Sequence, residues 1–279
     1  MSTTSPAACV IGYPAKHSRG PKLHGYWLNE YGIDGAYRIE EIPPDGFTEF
    51  VTNLASHGYV GANVTMPHKQ AAFALCEPDE KSKSIGAVNT LWLDGKILRG
   101  TNTDGDGYIG SLDVTVPNWT AGVRVAVVLG AGGASRSIVY ALLARGVETV
   151  HVVNRTLWKA EAMHADYGNG VQPATWNDLP TLLKSTGLLV NTASLGMEGQ
   201  GDLEVDLSQL SPDAIVSDIV YIPLKTRLLV NAERRGHKTT NGLAMLLHQA
   251  VNGFELWFGV RPQVSGAQYE MVAEGIPAS

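Results

Sequence analysis

Apolar residues in this chain fall into two spacings, short continuous runs and stretches in which they recur every three or four positions. Residues 9–11 form an apolar run closed by Gly12, and residues 21–31 place Leu23, Trp27, Leu28 and Tyr31 at helical spacing before stopping at Gly32. Residues 36–42 alternate as a strand does. Residues 47–55 put Phe47, Phe50, Val51 and Leu54 on one helical face, and 61–64 predict another strand. A second series starts near Thr103. Residues 123–129 are continuously apolar, as expected of a strand buried on both faces. Helix is predicted at 135–145, strand at 149–153, helix at 157–164, strands at 187–191 and 214–218, and helix at 226–235. Strands alternating with helices imply an α/β fold with mostly parallel, doubly wound sheets. Residues 243–258 carry Leu243, Leu246, Leu247, Ala250, Phe254 and Trp257 on one face, and 263–273 predict a shorter helix. No strand follows either one, so both are expected to return to the first unit. The predicted domains are 1–104 with 240–279, and 105–239.

Composition narrows the function classes. A chain of 279 residues suits two domains. The net charge of -6, without any lysine and arginine cluster, argues against a nucleic-acid partner. No apolar run approaches the ~20 residues needed to span a bilayer. The N-terminus lacks the basic-then-apolar order of a signal peptide, so a soluble cytoplasmic protein is expected. The two cysteines, Cys9 and Cys76, read as reduced core thiols.

The run ending at Leu129 leads into Gly130-Ala131-Gly132-Gly133-Ala134-Ser135, a glycine-rich turn that opens a helix. Gly130 permits the tight turn, Gly132 lets backbone approach a pyrophosphate, and the free amides of the helix N-terminus bind it. Ser135 stands where the usual fingerprint has its third glycine. The end of the next strand selects the cofactor. NAD-binding chains usually carry an acid there, to hold the ribose hydroxyls. This chain has Asn154-Arg155-Thr156, with Lys159 one turn later. Arg155 can lay its planar fork on a ribose phosphate and Lys159 adds a second positive charge, so the expected cofactor is NADP.

Four polar segments stand out in the first unit: 12–21 with Ser18, 63–69 with Asn63, Thr65 and Lys69, 86–90 with Asn89, and 100–105 with Asp104. Each lies at a strand end or strand-to-helix turn, where ligands bind in open α/β sheets. Such side chains suit a small ligand with several hydroxyls and a carboxylate. Each residue also has a plainer use. Ser18 and Asp104 can cap the helices that follow them, Asn63 and Asn89 can bond turn backbone, and Lys69 can be a solvated lysine. His17, His24 and His68 fit no standard metal spacing, and no metal is expected.

Together these segments resemble the shikimate dehydrogenase family, whose signatures are a serine-containing first loop, an Asn-Val-Thr-x-Pro-x-Lys turn, a Gly-Ala-x-Asn-Thr turn and an Asn-Thr-Asp-Gly turn. The resemblance continues through the glycine loop and Asn154-Arg155-Thr156. It extends over Asn191-Thr192-Ala193-Ser194-Leu195-Gly196-Met197, the strand end at Asp218 to Tyr221, and the segment Gly242 to Gln249. It implies a substrate domain and a Rossmann-type NADP domain with the active site in the cleft between them. It also implies reduction of 3-dehydroshikimate to shikimate in aromatic amino acid biosynthesis. Lys69 and Asp104 would be the catalytic pair. Asn63, Thr65, Asn89 and Gln249 would bond ring hydroxyls and other polar groups, while Ser18 and Tyr221 hold the carboxylate. Thr192, Ala193, Ser194 and Gly242 would join the cofactor site. The expected assembly is a monomer or homodimer.

One departure bears on substrate. The family's first loop usually reads Ser-x-Ser-Pro, and here it reads Ser18-Arg19-Gly20-Pro21. Gly20 removes a hydroxyl and leaves space beside the carboxylate-bearing carbon. A broadened range that includes quinate, which has an extra hydroxyl there, is therefore the main alternative. A non-catalytic NADP-binding protein would be expected to lose Lys69 or Asp104, and both are present. A different two-domain dehydrogenase, acting on a folate or a 2-hydroxy acid, would not require Ser18, Asn63, Asn89 and Asp104 together.

Overall fold

The computed structural model describes residues 5–197 and 199–279. It divides into two compact units, one formed by the chain up to Thr103 with Gln249–Val272, the other by Asp104–His248 with Ala273–Ser279.

The first unit runs β1 (Ala7–Gly12), α1 (Gly20–Glu30), β2 (Ala36–Glu41), α2 (Pro44–Thr52), β3 (Tyr59–Val64), α3 (Lys69–Leu75), β4 (Glu77–Pro78), α4 (Glu80–Ile85), β5 (Thr90–Asp94) and β6 (Ile97–Thr101). Its sheet has the order β2-β1-β3-β5-β6-β4. β1 pairs in parallel with β2 and β3, whereas β5 is antiparallel to both β3 and β6. The β5–β6 hairpin is absent from the periodicity reading. Its core gathers Ile11, Phe47, Phe50, Val51, Leu54, Val64 and Leu91, each contributing roughly 1.5–3 kcal/mol where fully buried.

The second unit runs α5 (Asp104–Thr115), β7 (Val125–Leu129), α6 (Gly133–Ala144), β8 (Thr149–Val153), α7 (Leu157–Tyr167), β9 (Val171–Ala174), α8 (Leu179–Leu182), β10 (Leu188–Asn191), β11 (Ile215–Asp218), α9 (Arg227–Arg234) and β12 (Lys238–Thr240). All six strands are parallel, in the order β12-β11-β10-β7-β8-β9. That is the doubly wound order, with the switch point between β7 and β10. β7 shows why its sequence is continuously apolar. Ala126 and Val128 enter the cluster of Leu112, Ile138 and Leu142, while Val127 and Leu129 enter that of Leu189, Leu228 and Leu229. A parallel strand covered on both faces buries every side chain.

Two helices complete the chain, α10 (Gly242–Phe258) and α11 (Gly266–Ala273). Gly242 to His248 belongs to the second unit and Gln249 to Phe258 to the first. Met245 joins the cluster around Leu112, and Phe254 and Trp257 pack against His24. Cys9 is fully buried, but Cys76 is only half-buried, and both are free thiols. Among the described residues no helix is long and apolar enough to cross a membrane.

Candidate active site

In the first unit, strand register gathers three of the four polar segments. Asn63, Thr90 and Thr101 face one another across β3, β5 and β6. Antiparallel pairing brings the start of β5 and the end of β6 beside the carboxyl end of β3, so turns distant in sequence become neighbours. Backbone bonds fasten them. Val64 donates to the Asn89 carbonyl at 2.7 Å, Val88 donates to that of Lys69 at 3.0 Å, and Asn89 donates to that of Thr101 at 3.2 Å. The Asn89 side chain is the knot. Its Oδ1 accepts from the Thr103 amide at 2.8 Å and from Thr90 Oγ1 at 2.9 Å, and its Nδ2 donates to Thr103 Oγ1 at 3.1 Å. Asn63 Nδ2 donates to the Asn89 carbonyl and to Thr90 Oγ1. Both asparagines therefore fill their plainer role as turn bonders. Lys69 is half-buried as the first residue of α3, and Thr65 donates its amide to Ile11 at 2.9 Å.

The loop after β1 is held from β2, where Glu41 Oε1 accepts from the amides of Ala15 and Lys16 at 2.8 and 3.1 Å. Those bonds lower the Glu41 pKa. Ser18 Oγ accepts from the Gly20 amide at 3.2 Å, at the start of α1. The space expected at Gly20 is not open. A Cβ there would lie 3.0 Å from Tyr37 Cε1 and 3.3 Å from Ser18 Oγ. Two histidines have structural places. His68 stacks on Phe47 with centroids 4.3 Å apart and its Nε2 meets the Ile42 carbonyl at 2.7 Å, and His24 is buried against Tyr37. Gln249, in the stretch of α10 belonging to this unit, has a buried Oε1 with no partner among the described residues. An acceptor left bare inside a protein costs free energy and fits a ligand donor.

In the second unit, Asp104 opens α5 and is 2 % exposed. Gly105 lets that helix press on α6, since a Cβ there would fall 2.6 Å from the Ser137 carbonyl oxygen. The glycine loop follows β7. Gly130 has φ +112, a value side chains rarely adopt, and a Cβ there would meet Thr192 Oγ1 at 2.8 Å. Gly132, by contrast, faces open space. Ser135 is buried and its hydroxyl is used internally. It accepts from the Gly132 amide at 3.1 Å and meets Thr192 Oγ1 at 2.5 Å, while Thr192 donates to the Leu129 carbonyl at 2.8 Å. Ala131, Gly133 and Ala134 complete the turn into α6. Asn154 Nδ2 closes the next turn on the Thr156 carbonyl at 2.8 Å, leaving Arg155 and Lys159 exposed. A glycine cradle with clear space at Gly132, two exposed cations and no acid at the strand end fits a phosphorylated dinucleotide.

One carboxylate that the sequence motifs contain but give no role organises the neighbouring loops. Asp218 is 1 % exposed and accepts from Asn191 Nδ2 at 2.9 Å, the Val220 amide at 3.0 Å and Thr226 Oγ1 at 2.7 Å. Asn191 Oδ1 in turn accepts from the Ala193 amide at 3.0 Å. Asp218 thus ties the 191–194 turn to the segment carrying Tyr221, and burial pushes its pKa up to about 6. Its signal was its position as a polar residue at the end of an apolar strand. Gly242 allows close packing of the next helix, since a Cβ there would come 1.9 Å from the Ile219 carbonyl oxygen.

Comparison with known proteins agrees with this architecture. Residues 10–91 match the model of the shikimate dehydrogenase substrate binding domain, 118–196 that of shikimate / quinate 5-dehydrogenase, and 242–266 that of the shikimate 5'-dehydrogenase C-terminal domain. A shikimate dehydrogenase (NADP(+)) of Rhodopseudomonas palustris strain TIE-1 is 56% identical over 265 residues, 95% of each chain. The shikimate 5-dehydrogenase of Thermus thermophilus, solved with NADP(H) and shikimate, superposes with a TM-score of 0.83 at 32% identity, covering 96% of this chain and 98% of that one. The quinate dehydrogenase of Corynebacterium glutamicum, solved with NAD, gives 0.84 at 29% identity, covering 96% and 98%.

Proposed function

The chain belongs to the shikimate dehydrogenase family, and from that premise we propose that it reduces 3-dehydroshikimate to shikimate reversibly with NADPH, as a cytoplasmic enzyme of aromatic amino acid biosynthesis. The observation that carries this reading is the knot at Asn89, which joins the turns of Asn63, Lys69 and Thr103 into one polar cluster.

The glycine loop with Thr192, Ala193, Ser194 and Gly242 holds the dinucleotide, and Arg155 with Lys159 holds its ribose phosphate. When bound, the cofactor supplies the hydride. The chain's own residues handle the proton and the ring. Negative charge develops on the ketone oxygen during reduction, and the Lys69 ammonium donates a proton there, becoming an amine that is reprotonated from solvent. In the reverse direction the amine takes the hydroxyl proton. Asp104 accepts from the adjacent hydroxyl of the ring. Asn63, Thr65, Asn89 and Gln249 bond the ring hydroxyls and other polar groups, Gln249 through its bare Oε1, while Ser18 and Tyr221 take the carboxylate.

Steady-state turnover with shikimate and quinate, each with NADP and NAD, tests the reading. Shikimate with NADP is expected to dominate, and a preference for NAD or for quinate overturns it. Lys69→Ala is expected to lower kcat by about 10²–10⁴-fold, the range for loss of a general acid, while NADP titration stays unchanged. Retained turnover removes Lys69 from its role.

A further inference from the structure

Tyr37 lies in β2, outside every family motif named above, and is half-buried. A Cβ added at Gly20 would sit 3.0 Å from its Cε1 and 3.4 Å from its hydroxyl oxygen. Carbon atoms attract best at about 3.5–4.0 Å, so a hydroxymethyl group at position 20 has no free volume while Tyr37 keeps its place. The phenol oxygen and Ser18 Oγ both border the position that a side chain of residue 20 would enter, at 3.4 and 3.3 Å from its Cβ.

The ring is held from behind. His24 stacks on it with centroids 3.9 Å apart and planes 11° from parallel, and Trp27, Phe254 and Trp257 enclose His24 at 5.6, 5.8 and 5.6 Å. Burial lowers the His24 pKa to about 3, so an uncharged ring backs the phenol, and burial also raises the Tyr37 pKa, so its hydroxyl keeps its proton at neutral pH. In the structure that proton goes to Asn63 Oδ1 at 2.6 Å.

We propose that Tyr37 determines specificity at the carboxylate end of the substrate site, its hydroxyl standing in for the one missing at Gly20 and its ring edge closing the volume that the glycine leaves. This rests on the reading that the Ser18 loop receives the substrate carboxylate. A phenol has a single proton to give. When a carboxylate arrives, the O–H turns to it from Asn63, and the released Asn63 Oδ1 accepts from a ring hydroxyl. Recognition of the acid and of the ring are thereby linked, and a ring with an additional hydroxyl on the carboxylate-bearing carbon meets the phenol edge.

The test is a double-mutant cycle on the full-length enzyme, read as KM for shikimate, with NADP titration and thermal midpoint showing that the fold is kept. Tyr37→Phe is expected to raise this KM about tenfold or more, as for one charge-assisted bond, with kcat within about threefold. In a Gly20→Ser background, where the aromatic ring must shift by a few tenths of an ångström to admit the new Cβ, the same change is expected to cost less than about threefold, because the serine hydroxyl then serves the carboxylate. An equal cost in both backgrounds overturns the proposal, as does a Tyr37→Phe value within about twofold of the parent while Ser18→Ala raises KM. If Ser18→Ala itself leaves KM unchanged, the carboxylate reading of the loop fails and the proposal falls with it. Quinate turnover in the parent enzyme above about one-hundredth of shikimate turnover also overturns the closure by the ring edge.

Discussion

Arg155 and Asp218 show two ways in which one charge sets behaviour. Arg155 is exposed at the end of β8, beside the turn that Asn154 closes. A charge-assisted bond to a phosphate contributes roughly 1.5–3 kcal/mol. Arg155→Ala should therefore raise KM for NADPH by about 10–100-fold and leave that for NADH nearly unchanged, as steady-state kinetics with both cofactors will show. Asp218 is buried, and its pKa of about 6 lies above the 3.8 of an ordinary aspartate. Folding therefore takes up a proton between about pH 4 and 6. The stability tied to this carboxyl is present below that window and is lost as pH rises through it, by ~2–3 kcal/mol. Asp218→Asn retains an acceptor for Asn191 and Val220 and offers a donor to Thr226. Urea unfolding at several pH values should show it gaining on the parent between pH 4 and 7 by about that amount. Neither Asp218 nor Tyr37 announces its role in the sequence. Each sits in a strand whose pattern reports burial, while the partners that define it come from other elements.

At the scale of elements, what could be read depended on whether a local signal existed. β7 and β8 were legible because a strand covered on both faces has to be apolar throughout. β9, which carries Gln172 and Pro173, and β12, which reads Lys238-Thr239-Thr240, hold no apolar run. The β5–β6 hairpin was missed although Gly95, with φ +62, opens its two-residue loop Gly95-Lys96, and glycine at that position is a recognised hairpin signal. Without that hairpin, the reason why the Asn63, Asn89 and Thr103 turns belong together stays hidden, because the antiparallel register brings Asn63, Thr90 and Thr101 into line. Close packing of elements is equally invisible in sequence. At Gly242 the obstructing atom is backbone, 1.9 Å from an added Cβ, and cannot swing aside. Gly242→Ala should destabilise by ~1–3 kcal/mol or more, measured by urea unfolding. Gly122→Ala, at φ -108 with nothing within 4 Å, serves as a near-neutral control.

Over the whole molecule, the chain enters the second unit at Asp104, leaves it after His248 and re-enters it at Ala273. Its acidic balance gives no hint of the two cations assigned to the cofactor, since a net charge of -6 averages over all 279 residues. Function was legible where several short motifs recur in order, and specificity was not, because Gly20 acquires meaning only from the aromatic ring beside it. The hairpin carries a practical consequence. β5 leaves the Asn89 knot and β6 returns to it, so the tip at Gly95 lies at the far end of two five-residue strands. A peptide epitope or fluorophore-bearing loop spliced in at that tip should leave turnover within about twofold of the parent, since lengthening an exposed turn costs little loop entropy. The same graft gives a permanent handle for immobilising the working enzyme without touching its chemistry.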